Sequence, residues 1–209
     1  MSDYRIETFV VGYLSANCYV ITNETDEAVI IDAGGGYDRI KNYLDGLNKK
    51  PVAVLCTHGH FDHVTDDYKW QKDGAKIYIH KDDVDLLTGK ETILPGRNFA
   101  VTPVTPDFTV TDGEEINVAG FTFTVMHTPG HSKGSVCYLL GDETVFSGDT
   151  LFYGSYGRTD FYGGNFTELV RSVKRILALP GDRKVYTGHG EGTTLLQERR
   201  FNPISSFND

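Results

Sequence analysis

Short apolar runs separated by glycine-rich or acidic turns make up the first half of the chain. Runs of this kind between turn residues are typical of strands, and longer amphipathic stretches are typical of helices. The pattern predicts strands over residues 6–11, 18–22, 28–32, 51–56 and 76–79, and helices over residues 37–47 and 65–71. The turn Gly34-Gly35-Gly36 separates the third strand from the first helix.

The second half of the chain is also rich in strands. Strands are predicted over residues 115–118, 121–126, 135–140 and 144–146, and a helix over residues 166–179. The strands pair as hairpins that turn at Ala119-Gly120 and Gly141-Asp142. Asn165 and Glu168 resemble the capping box of the helix, and Pro180-Gly181 marks its end. Two strand-rich halves with helices predict an α/β fold, in which two sheets pack face to face with helices outside.

The chain of 209 residues is 39% hydrophobic and 12% aromatic, which is enough for the core of one large domain. No apolar stretch approaches the roughly 18 residues of a membrane span. The first residues lack the basic and apolar regions of a signal peptide. Cys18, Cys56 and Cys137 lie in apolar runs and are predicted to be small buried residues, which fits a reducing cytoplasm. We therefore expect one cytoplasmic domain over residues 1–209 with no membrane partner.

The formal charge of the chain is −9, from 20 basic and 29 acidic side chains, and no run of lysine or arginine is present. A surface of this sign repels polyanions. We therefore expect no nucleic-acid partner. The oligomeric state does not follow from the sequence.

One heptapeptide, Thr57-His58-Gly59-His60-Phe61-Asp62-His63, holds three imidazoles and a carboxylate. It follows a predicted strand, and α/β folds tend to place their sites at strand ends. Neutral imidazole and carboxylate are common ligands of zinc, iron and manganese. His58 and His60 project to the same side of an extended chain, whereas Asp62 and His63 are adjacent and diverge. We therefore expect two neighbouring ions rather than one ion that collects all four groups.

Three further candidate ligands lie downstream on loops next to apolar runs, each directly after a glycine: His131, Asp149 and His189. A glycine lets the backbone approach a crowded centre. A single histidine in such a place is more often a surface or core residue. Five of the seven histidines share strand-terminal, glycine-bearing settings, however, and this repetition favours a metal centre.

The series T-H-x-H-x-D-H, P-G-H, S-G-D-T and G-H resembles that of the metallo-β-lactamase-fold superfamily. Within it, TPGHSKGS, FSGDTLFYGSYGRTDFYGG, GHGEGTT and ERRFNP resemble the glyoxalase II branch, and in particular its short bacterial members. The resemblance implies a four-layer αβ/βα sandwich with metals at one edge between two mixed sheets. It also implies three ligands for one metal, three for the other and a bridging aspartate, namely His58, His60 and His131, then Asp62, His63 and His189, then Asp149.

This ligand set implies two divalent ions, for which we expect zinc, with iron or manganese as alternatives. Two ions about 3.5–4 Å apart can bridge a water and lower its pKa toward ~7, with Asp62 and Asp149 as catalytic carboxylates. A thiolate leaves without much help from an acid, since a thiol has a pKa of about 8.5. No dedicated acid is evident in the chain. The resemblance therefore implies a binuclear hydrolase of small acyl thioesters that acts through a metal-bridging hydroxide.

Three departures from full-length glyoxalase II affect the expected substrate. Only 20 residues follow His189, so we expect no C-terminal helical domain of the kind that contacts glutathione in that family. Arg158 keeps a basic residue of the family, but Asp160 replaces a tyrosine that contacts glutathione, and Glu191 stands where the family has another tyrosine. Arg158 is a candidate partner of a substrate carboxylate or, equally, of Asp160 in a loop-stabilising salt bridge. We therefore expect weak use of glutathione thioesters.

Three other positions invite an interpretation. Asp32 ends a predicted strand and is a candidate to orient a ligand histidine, although a turn-forming role competes. His80 is expected to make a structural hydrogen bond, and His127 to lie in the core or behind the ligands. Residues 93–108 hold three prolines without periodicity, and are either a plain connection or a loop that borders the site.

Three alternative functions fit parts of the pattern. Persulfide dioxygenases of the same superfamily use one iron ion, and the GRTDF stretch resembles that branch as well. A lactonase or another ester hydrolase would use the same ligand set. A metal-binding protein without turnover would be expected to have lost ligands, and none is lost here. We do not expect β-lactam hydrolysis, because β-lactamases do not resemble this chain around Asp149.

Overall fold

The first of two six-stranded sheets follows the order of the chain in the computed structural model, which describes residues 4–91 and 101–207. Its strands are β1 (Arg5–Val11), β2 (Ala16–Thr22), β3 (Glu27–Ile31), β4 (Lys50–Leu55), β5 (Lys76–His80) and β6 (Phe108–Val110). The pairs β1–β2 and β2–β3 are antiparallel, whereas the pairs from β3 to β6 are parallel. All strands predicted in the first half of the chain lie in this sheet.

The second sheet has the spatial order β14-β13-β10-β9-β8-β7. Its strands are β7 (Glu115–Val118), β8 (Phe121–His127), β9 (Val136–Leu140), β10 (Thr144–Gly148), β13 (Lys184–Thr187) and β14 (Thr193–Thr194). The pair β10–β13 is parallel and the other pairs are antiparallel. Both predicted hairpins are present. A separate ribbon pairs β11 (Leu151–Phe152) with β12 (Ser155–Tyr156).

Six α-helices flank the sheets in the described part of the chain: α1 (Tyr37–Gly46), α2 (Phe61–Val64), α3 (Asp67–Lys72), α4 (Val84–Leu87), α5 (Phe166–Leu177) and α6 (Leu195–Phe201). Short 3-10 turns span Lys81–Asp83 and Pro203–Ser206. None of these helices is long and apolar enough to cross a membrane. The capping prediction for α5 is confirmed, since the side chain of Asn165 accepts a hydrogen bond from the Glu168 N–H at 3.2 Å.

The helix predicted over residues 65–71 is present as α3, which begins two residues later, and a separate short helix, α2, precedes it. The break falls at Asp66, whose N–H donates to the Ala33 carbonyl at 2.9 Å rather than to a preceding turn of helix. The carboxylate of Asp66 accepts a hydrogen bond from the Tyr37 N–H at 3.0 Å, at the start of α1. Asp66 therefore serves a tertiary junction, which the helical pattern does not reveal.

The predicted connection over residues 93–108 falls partly outside the described residues, since residues 93–100 are not among them. Residues 101–107 form no helix or strand, and Phe108 already begins β6. Val104 is buried in the core, and its N–H donates to the Leu87 carbonyl at 3.2 Å. Residues 101–107 thus act as a connection that packs against the core.

The two sheets pack face to face, and helices cover their outer faces, as predicted. The layer between the sheets includes Ile21, Ile31 and Leu55 from the first sheet and Phe123, Tyr138 and Phe146 from the second. The outer face of the first sheet packs on Ile40, Leu44 and Trp70, and that of the second on Leu169, Val173 and Ile176. Successive residues of a strand face opposite sides, so central strands such as β2 are buried on both. The three cysteines are free and buried, as predicted.

The candidate ligands follow the ends of these strands at one edge of the sandwich. His58 and His60 lie in the loop after β4, Asp62 and His63 lie in the short helix α2 that comes next, and Asp32 directly follows β3, the parallel neighbour of β4. In the second sheet, Asp149 follows β10 and His189 follows the parallel strand β13, while His131 lies between β8 and β9. Parallel neighbours end at the same edge of a sheet, so the two sheets deliver their ligands to a shared place.

Candidate active site

His58, His60 and His131 form the first group of candidate ligands. All three are buried, and their ring centroids lie 4.5–4.9 Å apart with the planes nearly perpendicular. The Nε2 atom of each ring is buried and has no hydrogen-bond partner among the described residues. Burial lowers the pKa of His58 and His60 well below the usual value, so both rings are neutral. Three unpartnered Nε2 atoms around one space are what a metal ion requires.

Asp62, His63 and His189 form the second group. The Nε2 atoms of His63 and His189 lie 3.3 Å apart, and the Asp62 Oδ2 is 3.2 Å from the Nε2 of His189. Asp62 is adjacent to His63, yet both side chains reach this group, with the Asp62 Oδ2 at 3.7 Å from the His63 Nε2. The expectation that neighbours in sequence diverge therefore does not hold for this pair.

Asp149 lies between the two groups. Its Oδ2 is 3.5 Å from the Nε2 of His131, in the first group, and 3.5 Å from the Nε2 of His189, in the second. Its Oδ1 is 3.4 Å from the Nε2 of His63 and has no hydrogen-bond partner in the described part of the chain. One carboxylate thus faces ligand atoms of both groups, which is the position of a bridging ligand.

Hydrogen bonds at Nδ1 fix the tautomer of His131 and His189 and leave their Nε2 atoms able to bind a metal ion. The Nδ1 of His131 donates to the Arg158 carbonyl at 2.8 Å, and the Nδ1 of His189 donates to the Leu14 carbonyl at 3.1 Å. A carbonyl oxygen only accepts, so Nδ1 carries the proton and Nε2 keeps its lone pair. Hydrogen bonds of this kind orient metal-ligating histidines and fix their tautomer.

Asp32 supports histidines of both groups, as predicted for a residue behind the ligands. Its Oδ2 accepts a hydrogen bond from the His63 Nδ1 at 2.9 Å and another from the Thr57 hydroxyl at 2.7 Å. The Thr57 hydroxyl oxygen then accepts from the Nδ1 of His58 at 3.0 Å. Asp32 has a φ of 56°, in the left-handed region that is uncommon for residues other than glycine. Such backbone strain is concentrated at functional sites.

The electrostatics of the second group suit a cation. Burial lowers the pKa of His63, but Asp149 and Asp32 outweigh it and raise that pKa to about 10. Burial raises the pKa of Asp62, but the hydrogen bond with His189 and the charge of His63 lower it to about 2. The carboxylates of Asp62 and Asp149 thus face the Nε2 atoms of His63 and His189, and Asp32 lies behind His63. Imidazole and carboxylate in this number fit divalent metal ions, and a bound ion would neutralise the excess negative charge.

Close backbone approach explains the glycines that precede the ligands. A Cβ atom on Gly188, directly before His189, would lie 2.0 Å from the Asp149 Oδ1. A Cβ atom on Gly148, directly before Asp149, would lie 2.3 Å from the Thr57 Oγ1, and this glycine has a φ of +48°. No side chain fits at either position, so the prediction that these glycines permit a crowded centre is confirmed.

Asp83 is a buried part of the site that the sequence did not reveal. Its carboxylate accepts hydrogen bonds from the Gly59 N–H at 2.9 Å, the Gly134 N–H at 2.6 Å and the Ser132 hydroxyl at 2.6 Å. It therefore joins the loop of His58 and His60 to the loop of His131. In the sequence, Asp83 belongs to an acidic stretch that reads as an exposed helix start.

A cleft of about 460 Å³ opens over the two groups. Its wall is mainly apolar, with Leu14, Phe61, Phe152, Tyr156 and Phe161. Arg158 borders it, with its guanidinium 4.0 Å from the ring centroid of Phe161. Arg158 also forms a salt bridge with Asp160, so the predicted ion pair is present at the border of the cleft. Glu191 is not among the residues that line it.

His80 and His127 form a separate pair outside this cleft. His80 is buried and accepts a hydrogen bond from the Asp82 N–H at 3.3 Å, so its structural role is as predicted. His127 is half-buried at the end of β8, beside the ring of His80, and its Nε2 donates to the Lys133 carbonyl at 2.9 Å. The prediction that His127 lies in the core or behind the ligands is therefore wrong. The two rings are stacked, with their centroids 4.0 Å apart and an angle of 9° between their planes. The ring planes of the first group are instead nearly perpendicular to one another.

The sequence profile of the Metallo-beta-lactamase superfamily matches residues 11–189. This span contains every candidate ligand described above. The chain therefore belongs to the metallo-β-lactamase superfamily, and it is a metallo-hydrolase of that family whose histidine and aspartate groups support divalent metal ions.

Two relatives that match almost the whole chain carry hydrolase names. The chain is 36% identical over 200 residues to the probable metallo-hydrolase YqgX of Bacillus subtilis, and the match covers 93% of this chain and 94% of that protein. It is 32% identical over 207 residues to the hydroxyacylglutathione hydrolase GloC of Haemophilus influenzae, with 96% and 97% of the two chains covered. The similarity to GloC agrees with the predicted resemblance to the glyoxalase II branch.

Solved structures share the fold over the same length. BLEG-1, a B3 metallo-β-lactamase, superposes with a TM-score of 0.88 at 37% identity and covers 97% of this chain and 100% of its own. TTHA1623 in a di-iron-bound form superposes with a TM-score of 0.78 at 34% identity, and the match covers 95% of this chain and 99% of that one. ETHE1 from Myxococcus xanthus superposes with a TM-score of 0.76 at 30% identity, and the match covers 95% of this chain and 83% of that one.

Proposed function

We propose that this chain is a binuclear hydrolase of small acyl thioesters. The observation that carries the proposal is Asp149, whose carboxylate lies within 3.5 Å of histidine nitrogens from both ligand groups. The similarity to GloC supports a thioester substrate, and the di-iron form of TTHA1623 supports two metals in one such fold. The physiological metal is proposed to be zinc, with iron or manganese as alternatives.

Two ions bound here would supply a water of lowered pKa and a Lewis acid for the carbonyl oxygen of the substrate. His58, His60 and His131 would hold one ion, and Asp62, His63 and His189 the other. Asp62 and Asp149 border the cleft, and as metal ligands their carboxylates would hold the ions and the attacking water beside the substrate carbonyl. The Nδ1 hydrogen bonds of four ligand histidines, His58, His63, His131 and His189, hold their rings in place.

Two features favour a thioester substrate, namely the apolar wall of the cleft and the ease with which a thiolate departs. Aromatic and leucine side chains on it bury an acyl chain and exclude water from the reacting carbon. A thiolate, whose conjugate acid has a pKa of about 8.5, departs without a strong proton donor. We therefore place thioesters before amides.

The substrate class is tested by steady-state kinetics of the metal-loaded protein. We expect saturable hydrolysis of simple acyl thioesters, and a kcat/KM for S-lactoylglutathione below about 10⁴ M⁻¹s⁻¹. The reason is that, apart from the candidate metal ligands, only Ser155, Tyr156 and Arg158 among the lining residues offer polar groups that could hold the peptide part of glutathione and position the carbonyl. Lactones and β-lactams complete the panel. Absence of thioesterase activity on every thiol carrier would overturn the proposed function.

The number of metals is tested by elemental analysis of protein made in metal-supplemented medium. We expect about two ions per chain, and loss of activity on chelation that metal addition reverses. A stable content of one iron with full activity and oxygen uptake would instead favour the persulfide dioxygenase that the GRTDF stretch suggests.

A further inference from the structure

Arg158 is the only lysine or arginine among the described residues that line the cleft. Its Nε donates to the Asp160 Oδ1 at 2.7 Å, and its Nη2 donates to the Asp160 Oδ2 at 2.6 Å. This is a bidentate pair, in which both carboxylate oxygens meet the fork of the guanidinium. The cationic group of the cleft is therefore already paired with a carboxylate of the same loop.

A substrate carboxylate would need the same fork of Arg158. Asp160 is two residues away, so it competes at the effective concentration of a tethered group, on the order of mM or above. Its hydrogen bond with Arg158 lowers the pKa of Asp160 to about 2, so the competitor stays ionised at neutral pH. An anionic substrate must displace it, whereas an uncharged substrate has no need of the guanidinium.

The salt bridge is not what holds this loop in place. Both side chains are largely exposed, 57% for Arg158 and 65% for Asp160, and exposed pairs contribute little to stability. The backbone has its own supports, since the Arg158 carbonyl bonds the His131 Nδ1 and the Gly164 N–H donates to the Phe161 carbonyl at 2.9 Å. Gly164 also packs closely on Thr159, where a Cβ would lie 2.2 Å from the Thr159 carbonyl oxygen.

We propose that Asp160 is a specificity-determining residue, which occupies the Arg158 guanidinium and thereby directs the cleft toward uncharged acyl thioesters. This inference rests on the proposed thioester hydrolysis and deepens it. Asp160 acts as a built-in competitor for substrate carboxylates. Its removal makes Arg158 available and shifts the preference of the site toward anionic substrates.

The test compares two thioesters with the same acyl group, one made from mercaptoacetate and one from its methyl ester. They differ by one negative charge. For Asp160→Asn we expect the ratio of kcat/KM, anionic over neutral, to rise roughly threefold to tenfold above that of the native protein. The double variant Arg158→Gln with Asp160→Asn should lose this gain. Asp45→Asn makes the same charge change on α1, away from the cleft, and should leave the ratio as in the native protein.

A second measurement does not depend on turnover. The thioether analogue of the mercaptoacetate substrate, which cannot be hydrolysed, is titrated into the native protein and Asp160→Asn by calorimetry. Tighter binding to Asp160→Asn supports the competition even if no thioester is hydrolysed, and in that case only the proposed function fails. Equal binding, an unchanged kcat/KM ratio, or an equal loss of activity on both substrates would show that Asp160 only stabilises the loop, and would overturn the inference.

Discussion

Replacement of Asp149 by alanine should lower kcat/KM by about 10³-fold or more and reduce the metal content of both positions. The expected size follows from the position of this carboxylate, which faces His131 in one group and His63 and His189 in the other. Removal of any other candidate ligand affects one group directly. The change is measured by steady-state kinetics and elemental analysis of the same preparation.

The fold should survive this substitution. The contacts of Asp149 are with the candidate ligand histidines, and its Oδ1 lacks a hydrogen-bond partner among the described residues, so its removal leaves the hydrogen bonds that support the surrounding loops in place. Circular dichroism and thermal unfolding check this point. Asp45→Ala, which removes an exposed carboxylate on α1, is the matched control and should retain activity and metal. Near-normal turnover in Asp149→Ala would contradict the bridging assignment.

Replacement of Asp83 by alanine should remove the metal of the first group and destabilise the protein. The carboxylate accepts hydrogen bonds from the Gly59 and Gly134 N–H groups and from the Ser132 hydroxyl. Asp83 is 1% exposed, so these buried donors would be left without an acceptor, at a cost of about 1–3 kcal/mol each. The loops of His60 and His131 would then no longer be joined, although no ligand is changed.

Ser132→Ala provides the graded comparison, because it removes one of these donors and keeps the two backbone contacts. We expect a smaller loss of thermal stability and a first metal position that still fills. Thermal unfolding of the metal-free forms separates the effect on the fold from the effect on the metal. If Asp83→Ala keeps both ions with native affinity, the joining of the two loops is not what organises the first group.

The sequence was sufficient for the layers of the fold and for the ligand series. Apolar runs between turns identify buried strands, and the glycines before Asp149 and His189 identify places where the backbone is crowded. Strands of two residues, such as β14, are too short for any periodicity. The break between α2 and α3 depends on the contacts of Asp66 with Ala33 and Tyr37, which are distant in sequence.

The supports of the ligands were harder to predict than the ligands. Asp32 was recognisable because a carboxylate directly after a buried strand is unusual. Asp83 was not, because an acidic residue at the start of a short helix is commonly exposed. The carbonyls that hold His131 and His189 belong to Arg158 and Leu14, and a carbonyl is common to every residue, so no side-chain pattern marks it.

Arg158 and Leu14 each have two separate functions, and this separation has a consequence for evolution. Their main chains hold ligand histidines, whereas their side chains form the wall of the cleft. Mutation at either position changes the surface that meets the substrate and leaves the carbonyl behind the ligand in place. Descendants of this chain can therefore diverge in substrate while they inherit the carbonyl contacts that orient His131 and His189.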